Sequence, residues 1–105
     1  NATTMTHFRV DIWTPDASAV PAAFKVKLVD AGANGVIGTG GDDVEHELSF
    51  EATSTPALTT GTWITLDIPL SQFTGLTTRA NLSQLIFVGL DPINTVFVDN
   101  VLFHK

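Results

Sequence analysis

Cysteine is absent from the 105 residues, which excludes disulfide staples, a thiolate nucleophile and Cys-type zinc sites and leaves the redox environment open. Basic residues are scarce. Five Lys and Arg stand against eleven Asp and Glu, giving a formal charge of -6. No window concentrates the bases, so the phosphate-neutralising patch that nucleic-acid binding depends on is missing. The apolar runs stay short, far from the roughly 20 residues that span a bilayer, and membrane insertion is not expected. No signal peptide opens the chain, which starts at Asn1 rather than Met. Residues 1–105 therefore read as a single module excised from a larger chain, with its targeting signal elsewhere. Catalytic signatures are missing too. There is no GxSxG and no GxxxxGK[ST], and His7, His46 and His104 stand too far apart for an HExxH-type metal site.

What the chain has in quantity is threonine, valine and phenylalanine, arranged with period two. Phe8, Val10 and Ile12 alternate with His7, Arg9, Asp11 and Trp13, and Pro15 closes that strand. Phe24, Val26 and Leu28 alternate with Lys25, Lys27 and Val29. After the glycine-rich stretch 31–43, Val44, His46, Leu48 and Phe50 alternate with Glu45, Glu47, Ser49 and Glu51. A fourth strand runs over 62–70, with Pro69 marking an edge or a strand end. Residues 85–88 are continuously apolar, as in a strand covered on both faces. The last strand runs over 95–104, and one helical turn fits within 71–83. About six strands joined by turn-rich loops predict an all-β fold, an antiparallel β-sandwich or jelly roll. A chain of this length buries about 65% of its unfolded surface, enough for one core between two layers.

Trp13 and Trp63 stand on the polar phases of their strands. A flat indole in such a place either packs at a sandwich edge or offers its face to a ligand, and the apolar C–H face of a pyranose ring suits it. Arg9 and Asp11 share the Trp13 face and could hydrogen-bond sugar hydroxyls; Glu47 joins them as a further polar candidate. The acidic loop brings Asp30, Asp42, Asp43 and Glu45 around a flexible backbone, a composition that suits calcium although the spacing is not that of an EF-hand. A solvated acidic turn fits as well, and Asp99 with Asn100 forms a second cluster. Paired carboxylates such as Glu45 and Glu47 could be offered as a glycosidase dyad, but a sandwich of this size has little volume for a substrate-enclosing cleft. The expectation is a non-enzymatic domain.

The segments THFRVDIWTPDA, VDAGANGVIGTGGDDVEHELSF, GTWITLDIPLSQFTGL, LSQLIFVG and TVFVDNVLFHK follow one another in an order that resembles the jelly-roll carbohydrate-binding modules appended to bacterial β-glucanases such as laminarinases and endoglucanases. The matching positions are Trp63 to Leu70, for the Trp-x-x-x-x-Ile-Pro-Leu strand, and Val98 to Asn100, for the terminal VDN. The resemblance implies a secreted bacterial setting, a covalently linked catalytic domain, a β-glucan ligand and no chemistry of the module's own. It also implies a structural calcium with Asp99 among its ligands. Such modules generally carry one or two further strands before the HFRVDIW strand. A sheet edge left exposed here is a place where a second copy could pair.

Overall fold

The computed structural model describes the chain apart from residues 20–21, 34, 36–42 and 55–56. Six strands form where the sequence places them, β5 reaching beyond the apolar run 85–88: β1 (His7–Trp13), β2 (Ala23–Asp30), β3 (Val44–Phe50), β4 (Ile64–Pro69), β5 (Leu82–Leu90) and β6 (Phe97–His104). They make two antiparallel three-stranded sheets, β4-β1-β6 and β3-β2-β5, packed face to face as a β-sandwich. Six strands in this order make a sandwich without defining a jelly roll, whose two Greek keys take eight.

The period-two pattern becomes burial directly. Phe8, Val10 and Ile12 of β1 face Phe24, Val26 and Leu28 of β2 across the interior, joined by Leu66 and Ile68 of β4, and none is more than 2% exposed. Each such side chain stabilises the fold by about 2 kcal/mol through burial. Outward on the second sheet, Lys25 and Lys27 of β2 meet Glu47 and Glu45 of β3 diagonally, at 3.5 and 3.1 Å. These solvated pairs keep the face polar and contribute little stability.

The two flanks of the sandwich differ. Beyond Pro69 a short 3-10 turn, Leu70–Gln72, leads Phe73 and Leu76 into the core beside β3 and β4. There the Gly75 N–H donates to His46 Nδ1 at 2.9 Å, and the Phe73 ring meets the His46 ring edge-on. Only glycine allows this approach, because a Cβ at position 75 would sit 2.9 Å from the Glu45 carbonyl oxygen. The flank of β5 and β6 is covered at its two ends, by Ala2 and Thr6, whose N–H groups donate to the Arg79 and His104 carbonyls, and by the buried Ile93 beside Gly89, and among the described residues it is open between them.

Two expectations are corrected. Residues 85–88 are not covered on both faces: β5 is an edge strand, paired with β2 on one side only, and Ile86 is 37% and Leu90 40% exposed. The helical turn expected within 71–83 stands at Leu70–Gln72, where Pro69 sets the entry angle, and Leu82 already belongs to β5. The buried Asp30 fixes that boundary. Its two carboxyl oxygens accept the N–H groups of Gly32 at 2.7 Å and Asn81 at 2.9 Å, while Asn81 Nδ2 donates to the Gly32 carbonyl. Gly32 turns there at φ 76, a conformation glycine adopts without a Cβ penalty.

Candidate functional site

Side chains opposite one another in an antiparallel ladder share a face, so the register of the β4-β1-β6 sheet lays out its outer surface residue by residue. At one end Trp13 pairs with Phe97, their ring centroids 5.6 Å apart and tilted by 53°. Ile12 pairs with Ile64, the first residue of β4, and Trp63 immediately precedes it in the outward phase of the alternation. The Trp13–Phe97 pair, with Trp63 just ahead of β4, thus marks one end of this face. Trp63 and Phe97 are each 54% exposed, and Trp13 is half-buried.

Polar groups occupy the rest of this face. Asp11 stands opposite Thr65 on one side and Asp99 on the other. Its Oδ2 accepts the Asn100 Nδ2–H at 2.7 Å, and Arg9 Nη2 lies 3.4 Å from its Oδ1. The Asn100 bond leads the causes that hold the Asp11 carboxyl below its ordinary range. A bulge between Arg9 and Asp11 sets Asn100 at φ 52, in the left-handed region that asparagine tolerates better than most residues, and turns its amide toward β1. Farther along, Arg9, Asp67, Asn100, Leu102 and His104 line an open depression of about 430 Å³. Donors (Arg9, Asn100) and acceptors (Asp11, Asp67) alternate here beside an aromatic end, which is the inventory that recognises a polyhydroxylated ring with one apolar face.

The far end carries a pair of stacked histidines. The His7 and His104 rings stack at 4.9 Å, and His104 Nε2 contacts Asp67 Oδ1 at 2.7 Å. The Lys105 carbonyl, followed by Asp67, raises the His104 pKa above its ordinary 6.5. A raised pKa means that the folded state holds the proton more tightly. This contribution to stability is fully present below pH 6.5 and is lost as pH climbs through the folded-state value. A histidine NMR titration will therefore place His104 above 6.5, and Asp67→Asn will move it down; an unshifted midpoint in the variant would remove Asp67 as a cause.

Of the residues singled out from sequence, Trp13, Trp63, Arg9 and Asp11 come together on this one face. Glu47 does not. It lies on the outer face of the other sheet, 3.5 Å from Lys25. The five carboxylates considered for calcium do not form one described cluster, and Glu45 is paired with Lys27 on the outer face of the β3-β2-β5 sheet. Asp30 is buried with both oxygens taken by backbone N–H groups, Asp43 is half-buried just before β3, and Asp42 lies outside the described residues. Asp99 stands on the other sheet, accepting the Asn100 N–H at 2.8 Å. Among the described residues no three His, Asp or Glu side chains are placed to hold a metal ion, and none of the helices there is long and apolar enough to cross a membrane. Sequence reasoning missed Phe97, Asp67 and His104 as members of the face. Their outward phase was readable, but only the pairing of β6 and β4 with β1 shows that they flank Arg9 and Trp13. Searches of protein-family models, curated proteins and solved structures return no match for the chain.

Proposed function

We propose that the chain is a non-catalytic carbohydrate-binding module whose outer β4-β1-β6 face takes a β-glucan chain and keeps a linked, secreted glycoside hydrolase near its polymer. The observation that carries this reading is the aromatic end, Trp13 with Phe97 and Trp63, beside the polar set Arg9, Asp11, Asn100 and Asp67. The sequence resemblance to the modules of bacterial β-glucanases supports the ligand class. Sugar rings stack on the indoles while the polar groups satisfy hydroxyls. The face is open rather than enclosing, so single oligosaccharides bind modestly and repetition along the polymer adds avidity. The polar groups are already oriented by bonds to one another, which limits the ordering cost of binding.

Affinity gel electrophoresis against barley β-glucan, laminarin, xyloglucan, hydroxyethyl cellulose, xylan and mannan tests the proposal, run with and without a calcium chelator. Retardation by β-glucans is expected and ranks the linkages. Loss of retardation with the chelator would bring a metal into the site. A folded domain that migrates unretarded in every lane would overturn the reading in favour of a structural or protein-interaction sandwich.

A further inference from the structure

Among the described residues seven large apolar side chains are exposed, and six of them lie on β5 and β6: Phe97 and Leu102 face outward beside Trp13 and Arg9, Ile86 and Leu90 face outward on the other sheet opposite Lys27 and Ala23, and Val98 and Val101 complete the set. These two strands are free edges of their sheets and share one flank of the sandwich. Phe87 and Val98 line one depression between them, of about 380 Å³, and Leu85 and Phe103 another, of about 190 Å³. The inner faces of both strands therefore reach solvent where the sheets part.

Free edges are ordinarily guarded by charge, proline or a covering loop, because their unpaired N–H and C=O groups template further pairing. The opposite flank follows that rule. There β3 carries Glu45 and Glu47, β4 carries Asp67 and ends on Pro69, and Phe73 and Leu76 pack over the gap. On the open flank β5 has no charged residue and β6 carries Asp99 as its one acid. We infer that this flank is a self-association surface, occupied by a second copy of the chain.

Two features select a second copy over a single peptide strand. Two edges, held apart by the thickness of the sandwich, both lack strand partners among the described residues, and one added strand satisfies only one of them. A second copy presents the same two edges at the same separation. A two-fold axis normal to the sheets sets β5 against β5 and β6 against β6, antiparallel, and makes two continuous six-stranded sheets. Charge points the same way: at a net -6 per copy, repulsion opposes most approaches, and the nearly neutral flank meets least of it. The nine residues of β5 span about 30 Å, and with sheets about 10 Å apart plus their side chains the flank offers about 600 Å² per copy, enough for a contact at the small end of stable interfaces. Pairing edge to edge leaves the outer face of the β4-β1-β6 sheet open, Phe97 and Leu102 of β6 included, so the inference does not depend on the carbohydrate reading.

Sedimentation velocity over a dilution series tests it. The wild-type chain is expected at twice its 11.2 kDa at high concentration and at the single mass on dilution. Ile86→Lys is expected to stay at the single mass throughout with an unchanged far-UV circular dichroism spectrum. The chain has no cysteine, so Ile86→Cys introduces a single thiol close to its own copy across the axis. That variant is expected to form a disulfide-linked dimer under mild oxidation, while Thr65→Cys on the outer face of the other sheet does not. If Ile86→Lys fails to fold, the cross-linking pair decides alone. A wild-type chain that remains at 11.2 kDa into the millimolar range, or equal cross-linking by both cysteine variants, overturns the inference.

Discussion

Replacing Asp30 by alanine will destabilise the domain by about 2–4 kcal/mol, because it leaves the Gly32 and Asn81 N–H groups without their acceptor in a buried place where water cannot replace it. For a domain of this size that corresponds to a fall of about 10–25 °C in Tm. The carboxyl joins the end of β2 to the start of β5, so its loss also frees the Asn81 side chain that holds the Gly32 carbonyl at 2.7 Å. Asp30→Asn keeps one acceptor oxygen but turns an NH2 group toward the second donor, and its loss will fall between wild type and alanine. Thermal unfolding followed by circular dichroism measures all three. A change below 1 kcal/mol in the alanine variant would show that the two N–H groups find other acceptors, and would remove Asp30 as the tie between the strands.

This tie illustrates what the sequence could and could not convey. The alternation in β1, β2 and β3 was legible because each strand has one buried and one solvated face, and the structure repeats it with Phe8, Val10 and Ile12 inside and Arg9, Asp11 and Trp13 outside. Asp30, at the strand end of a glycine-rich loop, has the composition of a cation ligand. Only tertiary structure shows that backbone N–H groups reach both of its oxygens. The apolar run of β5 misled for a similar reason: LSQLIFVGL has the hydrophobicity of a central strand, and its edge position follows from β2 taking the middle of the sheet. The binding face was half legible. Arg9, Asp11 and Trp13 are neighbours along one strand, whereas Phe97, Asn100, Asp67 and His104 join them through register, including a bulge that no spacing rule foretells.

Trp63→Ala will lower affinity for the retarding β-glucan by tenfold or more, while shifting stability by no more than about 0.5 kcal/mol. The asymmetry follows from position. Trp63 is 54% exposed and precedes the first residue of β4, so removing it opens no cavity, yet it takes away the broadest apolar surface of the face. Trp13 is the contrasting case. It is half-buried and packs against Phe97 at 5.6 Å, so Trp13→Ala will cost both binding and stability, and its binding loss must be read at a temperature well below its own transition. Glu47→Ala supplies the control on the opposite sheet: it breaks only the solvated pair with Lys25 and will leave binding unchanged. These outcomes separate the two outer faces of the sandwich. If Trp63→Ala binds as wild type does and Glu47→Ala does not, the glycan lies on the β3-β2-β5 sheet and the aromatic end has another use. If both bind normally, neither outer face holds the sugar.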